Sequence, residues 1–411
     1  MNHDLRRDAD AIVRAAIEAV LPDAAVRRAL EKADFPGRVL LVAAGKAAWQ
    51  MAKTAADSLG DKLDRGVVVT KYDHVKGDIP RCECVEAGHP VPDENSFRGT
   101  QKALDLVSGL KETDTVLFLL SGGGSALFEK PLIPGAELQD ITSQLLASGA
   151  DIIEINTIRK RLSAVKGGRF AQLCAPAKVM TVVLSDIIGD PLDMIASGPA
   201  YPDSSTCEQA LAIAEKYGLR LTDEARALLH QETPKTLTNV TTQVTGSVRE
   251  LCAAAAKACE SLGYTPVLLT DCLCCQAKEA GSFLASIVKS HAASGQKLAF
   301  IVGGETVVKL TGKGLGGRNQ EIALAAAAGI DGIKHAAVFS VGSDGTDGPT
   351  DAAGGYADGD TAAELRDCGL TVDAVLRDND AYHALQKTGG LIVTGATGTN
   401  VNDVAVALIN G

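Results

Sequence analysis

The chain is 411 residues long, 46% hydrophobic and 22% charged, which excludes a disordered, collagen-like or repeat-array protein and, at roughly 100–200 residues per domain, points to two compact domains. Forty Lys+Arg against 51 Asp+Glu give a net charge of −11, which disfavours a phosphate-backbone partner, and one Trp, six Tyr and eight Phe leave little aromatic surface for stacking bases. No apolar run approaches the ~20 residues of a transmembrane helix and Met1–Asp10 carries charges of both signs, so the expectation is a soluble, cytoplasmic protein with neither a nucleic-acid nor a membrane partner.

In chain order, the first expected element is an amphipathic helix over Leu5–Val20, with Ile12, Val13, Ala16, Ile17 and Val20 on one face. Short β-rich runs then alternate with helical stretches, at Arg38–Ala44, Gly66–Thr70, Cys82–Glu86, Thr115–Leu120 and Lys178–Leu184. That alternation predicts a Rossmann-like parallel sheet with helices on both faces. The polar, Thr-rich stretch Gln231–Val244 lacks apolar periodicity and reads as a linker, which sets the expected domains at 1–235 and 236–411. Beyond it, Val248, Leu251, Cys252, Ala255, Cys259 and Leu262 form a helical stripe. Val267–Leu269, Leu298–Val302, Ala337–Val341 and Leu391–Thr394 read as strands of a second, smaller α/β domain. The ten cysteines follow no regular framework. Cys82/Cys84 and Cys272/Cys274/Cys275 lack the two C-x-x-C pairs of a zinc site and read as buried thiols.

Ligands of open α/β sheets bind at the carboxyl ends of strands, so the residues directly after each apolar run carry the chemistry. Thr115–Leu120 runs into Ser121-Gly-Gly-Gly-Ser125, where bare amides and a helix start suit a phosphate; the alternative is a tight strand-to-helix turn. It is not a Walker A loop, because the terminal Gly-Lys-Ser/Thr is missing. Ala43–Ala48 is a weak match to a dinucleotide fingerprint. Its Lys46, at a helix start, implies either a compensating anion or a side chain bent into solvent. In Gly312–Glu321 the fork of Arg318 suits a carboxylate or phosphate, or is simply solvated. The basic stretch Arg159, Lys160, Arg161, Lys166 and Arg169 reads at least as well as a solvated face. Asp186, Asp190 and Asp193, with Asp344, Asp347 and Asp351, sit in glycine-broken loops that suit magnesium or a general base, with Asx-turn and cap duties as the alternative. His89, in Gly-His-Pro-Val-Pro-Asp93, reads as a structural loop histidine.

Together the segments AAGKAAWQMA, GHPVPDENS, LLSGGGSAL, IRKRLSAVKGGRFA, SDIIGDPLDMIASGPAYPD, GGETVVKLTGKGLGGRNQE, SDGTDGPTDAAGG and TGATGTNVND resemble the class II glycerate kinases, with an N-terminal DUF4147-type domain and a C-terminal MOFRL domain. The resemblance covers nearly the whole chain. It implies ATP-dependent phosphorylation of D-glycerate at the 2-hydroxyl, with Mg2+, in a cleft between two α/β domains. Carried over residue by residue, it implies catalytic roles for Lys46, Asp186 and Arg318, and cofactor contacts for Ser121, Gly122, Gly123, Gly124, Ser125, Glu305 and Asn319. Asp190 and Asp344 become the metal ligands. Asp271–Gln276 departs from the family pattern, with cysteines where acidic and glycine residues are commoner. The runner-up is an NAD(P)H-dependent hydroxypyruvate reductase, a label the family sometimes carries, which the degenerate Ala43–Ala48 turn supports poorly. A non-catalytic sugar-acid binding protein would leave the aspartate loops idle. A homodimer stays open as the assembly.

Overall fold

The computed structural model describes every residue except Lys32 and Asp190. The chain forms two compact units, one of Ala25–Leu184 and Asp190–Thr245, the other of Met1–Ala24, Ser185–Gly189 and Gly246–Gly411. This division differs from the one expected at 235/236. The opening helix, His3–Ala19, buries Leu5, Ala9, Ile12, Val13 and Ala16 against the helix Val248–Ser261 and against Phe339, Val404 and Val406 of the second sheet. An apolar stripe goes where it finds a complementary face, whatever its place in the chain.

The first unit is built on strands β1 (Val39–Ala44), β2 (Leu63–Lys71), β3 (Cys82–Ala87), β4 (Thr115–Leu120), β5 (Lys178–Leu184) and β6 (Val240–Gly246), in the order β3-β2-β1-β4-β5-β6. β1 through β5 pair in parallel. β1 and β4 are buried at every position, which is why both read as unbroken apolar runs. One face packs Val39, Leu41, Ala43, Leu117 and Leu119 under the helices Pro22–Glu31 and Ala48–Leu59. The other carries the helix Glu94–Leu106, where a Cβ on Gly99 would lie 2.9 Å from Val69.

β6 overturns the linker expected over Gln231–Val244. Asn239 accepts from Val179 N–H at 2.7 Å and Gly246 from Ser185 N–H at 2.8 Å, which lays β6 along β5. Val240, Thr241, Thr242, Val244 and Thr245 are β-branched and favour extended backbone, and on a half-buried edge strand they need no apolar run.

Phe118 on β4 is fully buried, its ring centroid 5.3 Å from Phe128 and 4.7 Å from Phe170. Phe118→Ala should cost about 3–5 kcal/mol of stability through lost burial and the cavity left behind. A urea denaturation midpoint equal to that of the parent protein would contradict this.

The second unit holds β7 (Thr265–Leu273), β8 (Leu298–Gly304), β9 (Ala336–Gly342), β10 (Gly354–Asp358), β11 (Leu391–Ile392) and β12 (Asp403–Ile409), in the order β11-β10-β9-β12-β8-β7. Only β7 and β8 pair in parallel; the other neighbours are antiparallel. The helices His3–Ala19 and Val248–Ser261 cover one face, Ala277–His291 and Arg318–Gly329 the other. β10 and β12 have no counterpart among the expected strands, and β11 stops at Ile392 instead of Thr394. Among the described residues, no helix is long and apolar enough to cross a membrane.

Candidate active site

The first sheet reverses direction at β1: the chain moves out through β2 to β3, then returns to β4 on the other side. The carboxyl ends of β1 and β4 therefore open a crevice, the usual ligand position in such sheets. β1 runs into Gly45-Lys46 and β4 into Ser121–Ser125. Lys46 N–H donates to the Gly122 carbonyl at 2.9 Å and Ala47 N–H to Ser121 Oγ at 3.0 Å, while Thr70 Oγ1, on β2, donates to the Gly45 carbonyl at 3.0 Å. Gly45 has φ +128°, and a Cβ there would stand 2.2 Å from Ser121 Oγ, so a side chain would separate the two loops.

Gly123 has φ +86°, and a Cβ on it would lie 2.9 Å from the His89 ring and 3.3 Å from Lys46 Cγ. His89 and Lys46 thus both stand beside the loop. Among the described residues, the N–H groups of Gly122, Gly123 and Ser125 meet no acceptor, and Lys46 is exposed with no ion pair. The helix that follows, Gly124–Leu127, is a single turn, so its dipole adds little and an anion here would rest on the loop amides and Lys46. Desolvation, reinforced by Lys46, pulls the His89 imidazole below its ordinary value.

The basic stretch is not the solvated face its charges suggest. Arg161 and Lys166 are 0% exposed and Lys160 is 2% exposed. Lys160 Nζ donates to Asp203 at 3.0 Å and stands 3.6 Å from Asp193, and Arg161 donates to Ser205 Oγ at 2.9 Å and to Glu232 at 3.4 Å. Burial alone would raise the Asp203 carboxyl, but Lys160 and the hydroxyl of Thr233 hold it below its ordinary value. The carboxylates that make such burial tolerable lie far away in sequence.

In the other unit, β12 runs antiparallel to both β8 and β9, which sets Asp403 opposite Gly304 and Gly342 at the carboxyl ends of those strands. Arg318, opening the helix Arg318–Gly329, donates through Nε and Nη2 to the two Asp403 oxygens at 2.5 and 3.1 Å, and through Nη1 to Glu305 at 2.9 Å. Its fork is therefore closed on Asp403, where the sequence suggests one open to a ligand. Among the described residues three of its five N–H donors are engaged, leaving two. Burial pushes the Asp403 carboxyl up to about 6 against the pull of Arg318. Arg318 is held above its ordinary value: desolvation opposes this, and the hydrogen bond and charge of Asp403, with Glu305, outweigh it.

Asn402, at φ +66°, donates to the backbone carbonyl of Asp186 at 3.2 Å and to Glu305 at 3.3 Å, tying those two segments together. Asp344 Oδ1 accepts from Thr346 N–H at 3.0 Å, an Asx turn, and stays half-buried. A Cβ on Gly342 would lie 3.3 Å from Asp344 Oδ1 and 3.4 Å from Asp403 Oδ1, so the two carboxylates flank a space that only a glycine leaves open. Asp347 is buried and caps the Arg318 helix, accepting from Asn319 N–H at 3.1 Å and Gln320 N–H at 2.8 Å.

Asn319, read as a cofactor contact, is 1% exposed; its amide donates to Asp347 and accepts from Ser340 Oγ, so it fixes the helix start from the interior. Asp190 lies outside the described residues. Cys272 and Cys274 are exposed, contrary to their reading as buried thiols. Among the described residues, no trio of His, Cys, Asp and Glu is placed to hold a metal ion on its own. Asp403, Asn402 and the loop-facing position of His89 carried no assignment in the sequence, although the first two lie inside the segment TGATGTNVND.

Two family models match the chain: a domain of unknown function, DUF4147, over residues 8–230, and the MOFRL family over residues 298–403. That pairing defines a class of two-domain α/β proteins. D-glycerate 2-kinase of Thermotoga maritima is 53% identical over 98% of both chains, and glycerate 2-kinase of Pyrococcus horikoshii is 40% identical over 99% of this chain and 98% of its own. The crystal structure of the Thermotoga maritima glycerate kinase matches with a TM-score of 0.95, covering 99% of both chains. The chain belongs to the glycerate 2-kinase family.

Proposed function

We propose that the protein transfers the γ-phosphoryl group of ATP to the 2-hydroxyl of D-glycerate, with Mg2+. The observation that carries this reading is the glycine loop at the β1/β4 crevice, with three amides and a lysine beside it that have no partner among the described residues. Phosphoryl transfer consists mostly of positioning and of neutralising charge, which such a loop supplies. Ser121–Ser125 cradles the phosphates through backbone N–H groups, and Lys46 stabilises charge on the migrating group. Asp344, a half-buried carboxylate, would be a ligand of Mg2+, an ion that takes one or two carboxylates together with its own waters. When bound, the ion neutralises phosphate charge. Asp186 takes the proton of the 2-hydroxyl as its oxygen bonds to phosphorus and the bond to the ADP oxygen breaks. The two remaining Arg318 donors meet the glycerate carboxylate.

Purified protein incubated with ATP, Mg2+ and D-glycerate should yield ADP and 2-phosphoglycerate, resolved from the 3-isomer by phosphorus NMR. NADH oxidation with hydroxypyruvate and no phosphorylated product would favour the reductase. EDTA should abolish turnover, and Asp344→Asn should raise the Mg2+ concentration for half-maximal rate about 10-fold or more. An unchanged requirement would remove Asp344 from the metal.

Gly123→Val tests the loop. A β-branched residue at φ +86° is strained, and its Cβ would press on His89 where phosphate approaches. The KM for ATP should rise about 10-fold or more with a smaller change for D-glycerate. A folded variant with unaltered ATP kinetics would place the phosphates elsewhere.

A further inference from the structure

Buried charge lies against the far end of the glycine loop. The Ser125 carbonyl accepts from two cations at once, Lys166 Nζ at 2.8 Å and Arg159 Nη2 at 3.0 Å. Lys166 also donates to the Phe128 carbonyl at 3.3 Å. Glu129, fully buried, stands 3.4 Å from Lys166 and 3.5 Å from Arg159, and among the described residues neither of its oxygens has a hydrogen bond. Both cations thus give their hydrogen bonds to the loop backbone and only a looser attraction to the carboxylate. The Ser125 hydroxyl is fixed as well, 3.1 Å from Ser197 Oγ, which donates to Asn156 Oδ1 at 3.0 Å. Ala196 and Ser197 hold φ of +52° and +60°, a conformation that costs free energy in non-glycine residues and is kept only where the surroundings impose it.

Among the described residues, two positive charges facing one negative charge leave a surplus of one where the dielectric is low. A surplus of this kind is unfavourable unless an anion completes it, and the unpaired amides of Gly122, Gly123 and Ser125 mark where an anion can come.

We propose that Lys166 and Arg159 are positioning residues for the nucleotide phosphates: they clamp the Ser125 carbonyl, hold the loop amides in their binding arrangement, and leave one positive charge that the incoming polyphosphate neutralises. The proposal rests on the kinase reading above. The charged groups facing Lys166 are Glu129 and Arg159. Desolvation lowers the Lys166 ammonium to about 8, Glu129 opposing the fall and Arg159 adding to it. A bound anion favours the charged form, so binding above pH 8 draws a proton onto Lys166.

The test is ATP affinity by titration calorimetry from pH 7 to 9.5, run in buffers of different ionisation enthalpy to count protons. Wild-type affinity should fall by up to about 10-fold per pH unit above pH 8, with proton uptake on binding. Lys166→Arg stays charged throughout and should abolish that alkaline limb. Lys166→Met should raise the KM for ATP by about 10-fold or more while the KM for D-glycerate changes less than about 2-fold. A wild type whose affinity is flat from pH 7 to 9.5, a Lys166→Arg that keeps the limb, or a folded Lys166→Met with parental ATP affinity would each overturn the proposal. If ATP binds with the expected limb but no phosphoglycerate forms, the kinase reading fails and the positioning role stands.

Discussion

Lys46→Ala is expected to lower kcat for D-glycerate phosphorylation by on the order of 10²-fold or more, with the KM for glycerate changed by less than about 3-fold. The expectation rests on how firmly the structure holds the backbone of Lys46 while leaving its ammonium unpaired. Its N–H is bonded to Gly122, its carbonyl accepts from Thr70 Oγ1 at 3.3 Å, and its side chain is exposed beside Gly123 with no ion pair among the described residues. A cation held beside bare amides with no partner of its own is poised for charge that appears during the reaction, and its removal is felt most in the transition state. His89 offers an independent readout. Lys46 contributes to the fall in the His89 pKa, so in Lys46→Ala the imidazole should titrate at higher pH, visible by NMR of the ring protons. A variant with parental kcat and a raised glycerate KM would move Lys46 to the substrate carboxylate; parental kinetics throughout would remove it from the reaction.

What the sequence made legible follows how local each feature is. β4 and β5 coincide with their expected runs because strands buried on both faces carry the apolar signal within themselves. β12 did not read as a strand: Asp-Val-Ala-Val-Ala-Leu-Ile mixes helix-forming Ala and Leu with Val and Ile, and a short apolar run has no period that settles its form. β10 hides behind two glycines. The same logic governs the site. The glycine loop and Lys46 follow their strands directly, so position alone reveals them. Asp403 acquires its role only when β12 slots between β8 and β9, about a hundred residues from one partner and sixty from the other. The burial of Lys166 depends equally on Glu129, and that of Lys160 on Asp203, contacts that no spacing announces.

Arg318→Met should cost about 2–4 kcal/mol of stability, because it strands a carboxylate whose side chain is only 8% exposed; the figure sits below that for a fully buried pair since the guanidinium itself is 34% exposed. The loss should depend on pH in a definite direction. Burial already raises the Asp403 carboxyl to about 6, and without the guanidinium that opposes burial it must rise further. A folded-state value above that of the unfolded chain means that ionisation destabilises the fold. Stability contributed by the protonated form is fully present below about 4 and is lost as pH rises through the folded-state value. The deficit of Arg318→Met relative to the parent protein should therefore widen between pH 6 and 8 and narrow at pH 5. Arg318→Lys keeps a charge but loses the paired contact to both Asp403 oxygens, so it should fall between the two in stability. It should also raise the KM for D-glycerate more than it lowers kcat if the two free donors meet the substrate carboxylate. The double variant Arg318→Met/Asp403→Asn separates the roles. Removing the stranded charge should restore much of the melting temperature, whereas glycerate affinity should stay low because the cation is still missing. Recovery of both would show that Arg318 serves the fold alone, and an Arg318→Met deficit that is flat from pH 5 to 8 would show that Asp403 is not the group it neutralises.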